Sequence, residues 1–381
     1  LWRDTALAVI KYRPEDFEVK ELMNLPPKGK GYGLYLLTKK NRTTIDAVKE
    51  VADALGVRYR AVSFGGMKDK RAITHQYITV KGVVGRKVGG RGWKITPVGE
   101  VSRHVSKDDI VGNEFYITIR DLSSADVERV MEHLEMPGEL KVPNYFGPQR
   151  FGSYFSGDFP AKAMIQRRYK DALLMLLTPK VRASCESIFR SQHPVWDICV
   201  KVARHRWERE VFKFLGRRQG AYRDALRIVP KEQKAIAALA YQSYVWNGAV
   251  SYEILRRSDN VFAVEVKGLP LNFSRQPMDL PFDEYPYPSP YLKPEEMPEG
   301  MRLFLEKEGI DPTRFKTRVW GVTFPLRYRK VFMIPKLKDA GHSGDDVFRR
   351  LKFDIHFVLP KGGYATIFLA YILGELPREG R

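Results

Sequence analysis

The chain has 381 residues, enough for two domains or for one large domain carrying an insertion. Its 44% hydrophobic and 12% aromatic content excludes global disorder, and no apolar run approaches the roughly 20 residues that span a bilayer. A formal charge of +20 and a pI near 9.7 point to a polyanionic partner and argue against a neutral sugar as ligand.

Residues Ala6–Ile10 are too short for a signal-peptide core, so a cytoplasmic protein without membrane contact is expected. From Ala8 to Glu21 the chain starts extended, turns at Pro14 and resumes as a strand in which Phe17 and Val19 alternate with charged residues. Gly31–Thr38 is a second predicted strand. Between Asn41 and Leu55 the residues Ile45, Val48, Val51 and Leu55 recur at helical spacing, and Gly56 supplies the stop.

The stretch Phe64–Val80 reads FGGMKDKRAITHQYITV. Gly65 and Gly66 permit backbone angles and close approaches that a Cβ forbids. Asp69 lies between Lys68 and Lys70, whose charges favour an ionised carboxylate. Ile78 and Val80 then alternate with Tyr77 and Thr79 as in a half-buried strand. Read alone, the charged triplet is an exposed turn. The glycines of Gly82–Gly92 match no dinucleotide fingerprint and precede no helix signal, which predicts a basic loop.

Asn113–Arg120 alternates with Phe115, Ile117 and Ile119 on one face, and Ser123 with Asp126 caps a helix bearing Val127, Val130, Met131 and Leu134. The segment Asn144–Gly152, NYFGPQRFG, is a loop of aromatics and glycines around Arg150. Between Lys162 and Lys234 there are 18 Lys and Arg against 7 Asp and Glu, a net +11 carried on helical patterns. A helix is predicted over roughly Lys231 to Arg257, then a Pro-rich acidic loop over Pro270–Gly300. Alternation returns at Val331–Ile334 and Phe353–Val358. The closing LPKGGYATIFLAYIL is a glycine turn followed by an apolar helix or strand. Strands at both ends around a basic helical middle predict an α+β domain interrupted by an insertion.

Cys185 and Cys199 have no companions at zinc spacing and read as reduced residues. The seven histidines are scattered, and no HExxH, CxxC, Walker A or GxSxG sequence occurs. No metal or other cofactor is therefore expected. A carboxylate in a Gly-rich basic turn suits cofactor-free chemistry on an RNA base that is flipped out and stacked on an aromatic ring. The basic middle supports equally well a non-catalytic RNA-binding protein or RNA chaperone, because phosphate contacts give affinity without chemistry. A glycosidase would need a second carboxyl at a defined separation.

FGGMKDKRAITHQ resembles the G-x-K-D-x-x-A-x-T-x-Q signature of the TruD family of pseudouridine synthases. PEDFEVKE (Pro14–Glu21), RHVSKDDIVGNEFYITIR (Arg103–Arg120), NYFGPQRFG (Asn144–Gly152) and LPKGGYAT (Leu359–Thr366) resemble further family segments, in order. The resemblance is poorest between about Phe155 and Arg327.

It implies an α+β fold: a catalytic domain on a mixed, mainly antiparallel sheet split by a cleft, with a largely helical inserted TRUD domain. The expected boundaries are 1–152 and 327–381 for the catalytic parts and 153–326 for the insertion. The implied activity is conversion of uridine to pseudouridine in tRNA, at position 13 of the D arm, by a monomer; another structured RNA is the alternative partner.

By the same resemblance Asp69 matches the catalytic aspartate and Lys11 a lysine that pairs with it. Phe17 matches a cleft residue, Asn113 and Phe115 the pair that holds the uracil, and Tyr364 a position commonly phenylalanine. From residue type alone Phe17 and Phe115 are core, Lys11 is an exposed lysine, and Asn113 is a turn residue. Arg150 suits either an RNA phosphate or a structural carboxylate. Arg167, Arg168, Arg217 and Arg218 are the basic clusters expected to grip RNA.

Overall fold

The computed structural model describes residues 8–315 and 321–380, so Ala6 and Leu7 of the N-terminal apolar run lie outside the described residues. The chain divides into two units, Leu1–Asn144 with Phe332–Arg381, and Tyr145–Val331.

The first unit begins with β1 (Val9–Ile10), a turn at Pro14–Asp16, β2 (Phe17–Met23) and β3 (Lys28–Lys40). Helix α1 (Thr44–Leu55) follows, capped by Thr43, whose hydroxyl accepts the Asp46 N–H, and ended by Gly56 at a left-handed φ of 70°. Its inner face, Val48, Val51 and Leu55, packs with Tyr35, Leu37, Ile78 and Ile95. Ile45, predicted to share that face, is exposed. Next come β4 (Val62–Phe64), β5 (Ile73–Lys81), β6 (Val88–Gly90) and β7 (Trp93–Val101). Part of the predicted Gly82–Gly92 loop is thus a hairpin: β6 pairs with β7, and Gly92 supplies the positive φ of the turn. Strand β8 (Ile110–Leu122) buries Phe115, Ile117 and Ile119 as predicted, and α2 (Ser124–Leu134) opens with the Ser123–Asp126 capping box. Strand β9 (Val142–Pro143) ends this half.

The second unit carries α3 (Pro160–Ile165), α4 (Tyr169–Leu176), α5 (Pro179–Arg190), α6 (Asp197–Val202), α7 (Arg206–Arg217) and α8 (Tyr222–Ala225). Its spine is α9 (Lys231–Arg257), which buries Tyr241, Val245, Trp246 and Val250. Beyond it lie β10 (Val261–Val266), β11 (Leu269–Ser274), β12 (Glu284–Pro286), α10 (Glu299–Lys307) and β13 (Tyr328–Lys330). The predicted Pro270–Gly300 loop is therefore structured at both ends and in the middle. Lys267 and Gly268 take the positive φ angles that let β10 and β11 form a tight hairpin. The two cysteines are not reduced: packing of α5 on α6 brings Cys185 and Cys199 together as a disulfide with Cα atoms 5.8 Å apart.

The chain returns to the first unit with β14 (Phe332–Met333), β15 (Lys336–Gly344), β16 (Leu351–Pro360), the helix α11 (Ala365–Leu373) and β17 (Arg378–Glu379). The main sheet has eleven strands in the order β15-β16-β8-β2-β5-β3-β7-β6, with β1, β4 and β17 attached. Along that path every pairing is antiparallel except β2 with β5. The mixed, mainly antiparallel sheet and α+β class match the expectation. Among the described residues no helix is long and apolar enough to cross a membrane.

Arg120 locks the strand that carries Phe115. Buried on β8, it grips Asp16 in a bidentate pair at 2.9 and 2.7 Å and donates to Asp345 and Asp346 at 2.7 Å each. One guanidinium thereby joins the Pro14–Asp16 turn, β8 and the turn between β15 and β16.

Candidate active site

Parallel pairing of β2 with β5 puts the N-terminal ends of both strands on the same side of the sheet junction. The residues leading into each strand, Lys11 and Asp69, thereby meet although they are far apart in sequence. Lys11 Nζ lies 3.5 Å from Asp69 Oδ2 and 2.8 Å from Glu379 Oε1. Its side chain is 2% exposed, against the exposed lysine that residue type suggests, and its ammonium sits over the Phe17 ring, 4.6 Å from the centroid. The Asp69 side chain keeps 32% of its surface, so a ligand can reach the carboxylate.

Three side chains hold the turn that presents Asp69. Gln76 donates to the Gly66 carbonyl at 3.0 Å, and the Thr44 hydroxyl donates to Gln76 Oε1 at 3.1 Å while accepting the Lys68 N–H at 3.0 Å. From below, Lys39 Nζ donates to the Asp69 carbonyl at 2.7 Å. Gly65 is needed for close approach: a Cβ there would lie 2.9 Å from Ile110 Cδ1 and 3.0 Å from Met23 Cε. Neither Gly65 nor Gly66 has a positive φ, so unusual backbone angles are not the reason for the pair.

Lys68 does more than flank Asp69. Its ammonium is 2.6 Å from Asn113 Oδ1 and 2.9 Å from Glu21 Oε2. Asn113 and Glu21 are register partners across β8 and β2, so one cation bridges both strands. Because the amide oxygen of Asn113 accepts from Lys68, its NH₂ is the group turned the other way, suited to a carbonyl acceptor.

The aromatic residues form a floor. Phe17 is buried and meets Phe115 edge-to-face at 6.2 Å, while Phe115, 7% exposed, has one face stacked on Phe357 at 5.2 Å. Tyr364 is half-buried at the N-terminus of α11, five residues beyond Leu359, the register partner of Asn113. The sequence-derived residues Lys11, Phe17, Asp69, Asn113, Phe115 and Tyr364 thus all belong to the first unit.

Glu21 and Lys39 were not singled out from sequence. The signal for Lys39 was its phase: Tyr35, Leu37 and Lys39 occupy the inward positions of β3, and all three are fully buried. Burial pulls the Lys39 ammonium down to about 8; the negative charge of Asp69 opposes that shift, and the positive charge of Lys68 adds to it. Chemically the site offers a reachable carboxylate held among buried cations, an amide donor and an apolar floor. Those parts can position a flat polar ring beside a base or nucleophile.

The second unit holds the predicted basic residues. Arg150 donates from Nε to the Ser243 hydroxyl at 3.0 Å and lies over the Phe146 ring at 5.5 Å. Arg168 is clasped by Asp158 and Asp171, which offsets its charge. Arg167, at a positive φ of 63°, is exposed, as are Arg217 and Arg218. On α7 the exposed Arg206, Arg209, Lys213 and Arg217 recur every three or four residues, opposite buried Val211, Phe212 and Leu215. That spacing makes a basic stripe along about 16 Å of helix.

A family model described as tRNA pseudouridine synthase D (TruD) matches residues 4–265. The tRNA pseudouridine synthase D of Aquifex aeolicus is 30% identical over 378 residues, covering 94% of this chain and 96% of the relative. The "Probable tRNA pseudouridine synthase D 2" of Methanocaldococcus jannaschii is 28% identical, covering 96% and 91%. A crystal structure from Methanosarcina mazei, named for tRNA pseudouridine synthase D (TruD), matches with a TM-score of 0.74 at 22% identity. The match covers 97% of this chain and 95% of that one, and it speaks for the fold.

Proposed function

The chain belongs to the tRNA pseudouridine synthase D (TruD) family, and from that premise we propose that Asp69 is the catalytic carboxylate of an isomerase that converts uridine 13 of the tRNA D arm to pseudouridine. The reaction breaks the bond from uracil N1 to ribose C1′ and joins C5 to C1′. C5 gives up its hydrogen and N1 gains one, so the overall change needs no oxidant, reductant or added group.

The observation that carries the reading is the pairing of a reachable Asp69 carboxylate with the buried Lys11 ammonium at 3.5 Å. Lys11, shared with Glu379, holds the carboxylate in its orientation. Asn113 offers its NH₂ to a uracil carbonyl. Phe17 and Phe115 give the detached base an apolar bed and Tyr364 a more accessible ring; stacking of this kind is worth about 1–3 kcal/mol per base and tolerates rotation.

The second unit corresponds in this reading to the inserted TRUD domain, and its basic stripe with Arg167 and Arg218 holds the RNA backbone. Arg168 contributes to folding through its two carboxylates, and Arg150 packs locally with Ser243 and Phe146. We further read the protein as a cytoplasmic monomer that needs no cofactor.

Carbodiimide-based mapping of pseudouridine on transcribed tRNA tests the target. A new signal at position 13, absent when uridine 13 is replaced by cytidine, is the expected result. Modification elsewhere would overturn the position. Tight tRNA binding without any isomerisation would favour the non-catalytic RNA-binding alternative, which the basic stripe of α7 alone also supports.

A further inference from the structure

We propose that Lys39 is the positioning residue of the Asp69 turn: its buried ammonium grips the Asp69 backbone carbonyl from beneath and so fixes where the carboxylate points. The inference rests on the reading of Asp69 as the catalytic group.

Strand β3 fixes Lys39 from both sides, with Thr74 of β5 and Trp93 of β7 as its register partners. The side chain is fully buried. Its Nζ lies 2.7 Å from the Asp69 carbonyl and 3.5 Å from that of Lys68. A buried cation without a carboxylate bonded to it is costly, and Lys39 continues the inward row of β3 whose other members, Tyr35 and Leu37, are buried without any charge. An apolar side chain of similar volume would fill the same space. What the ammonium adds is a charge-assisted bond to the backbone of the turn that carries Asp69.

The charged groups acting on Lys39 belong to that turn: Asp69, which favours the ammonium, and Lys68, which opposes it. Lys11 stands across from Asp69, while the register partners Thr74 and Trp93 bring no charge. Since burial brings Lys39 down to about 8, moderately alkaline conditions remove its proton and weaken the grip.

The stability effect has the opposite sign. An unfolded lysine keeps its proton to about pH 10.4, so above about 8 the unfolded chain binds more protons than the folded one. Lys39's contribution to stability therefore rises with pH across that window. A rate that falls there is not unfolding driven by this residue.

Single-turnover isomerisation at saturating enzyme, followed from about pH 6.5 to 9, reads the effect directly. The wild-type rate should fall with a midpoint near 8, without loss of thermal stability. Lys39→Met should fold, bind tRNA within about threefold of wild type, lose roughly 100-fold in rate, as a displacement near 1 Å can cause, and show no alkaline fall.

A flat wild-type profile overturns the proposal, as does a Lys39→Met rate equal to wild type. If Lys39→Met does not fold, the wild-type profile decides. Asp69→Asn, run in parallel, separates the two claims. An active Asp69→Asn sinks the catalytic reading itself, whereas an inactive Asp69→Asn beside a fully active Lys39→Met sinks only the role of Lys39.

Discussion

At the scale of single residues, the site depends on how few cations control the direction of one carboxylate. Lys11 bridges Asp69 and Glu379, so Lys11→Met would leave two carboxylates facing each other without their shared cation. We expect isomerisation to fall by roughly 10²–10⁴-fold, the range of a mispositioned acid–base group, with tRNA affinity within about threefold. Rate and affinity measured on one tRNA transcript check this, and a rate within a factor of about two of wild type would contradict it. Asp69 stood out in the sequence because a glycine pair, two lysines and a downstream Gln stand at fixed spacing around it. The structure gives that spacing a reason, since Gln76 and Thr44 tie the turn down. The burial of Lys11 was not legible: it comes from packing against Phe17 and β17, and both contacts require the folded sheet. Phe115 was legible as core through its alternation with Ile117 and Ile119, and it lies in the core.

Among elements, those with local stop and start signals were readable and those defined by partners were not. Helices α1 and α2 declared themselves through the apolar spacing that ends at Gly56 and through the Ser123–Asp126 box, while the Thr43 cap was not read. Strand β15, KLKDAGHSG, gave no alternation because it is an edge strand paired on one side with most side chains exposed. The short strand β6 was hidden in a glycine-rich stretch, and the disulfide depends on helix packing that a pair of cysteines cannot reveal. Two predictions belong here. Arg120→Met would strand the buried carboxylates of Asp16 and Asp345, and losing one partner of a buried pair costs about 3–5 kcal/mol. Denaturant titration measures it, and a loss below about 1 kcal/mol, the level of a surface pair, would contradict the buried-lock account. On α7, replacing Arg206, Arg209, Arg217 and the adjacent Arg218 by Gln should weaken tRNA binding and flatten its salt dependence. Each lost phosphate contact should remove roughly 0.7–0.9 from the log–log slope. An unchanged slope across a salt series would leave these arginines as solvated surface.

For the whole molecule, the proposed reading places the chemistry in the first unit and the RNA grip on the basic stripe of the second. Among the described residues no group of three or more His, Cys, Asp or Glu could hold a metal ion. Because the isomerisation as proposed needs no added group, we expect activity to survive exhaustive EDTA dialysis when the tRNA is refolded separately; loss restored only by a transition metal would contradict this. The central claim is that Asp69 performs the isomerisation. Release of tritium from tRNA transcribed with 5-tritiated uridine measures this most directly, because C5 gives up its hydrogen only when it joins C1′. The wild-type protein should release one tritium per modified uridine. Asp69→Asn should release none above background, with tRNA affinity within about tenfold, or 1.4 kcal/mol, of wild type. Wild-type release by Asp69→Asn would contradict the account at its centre.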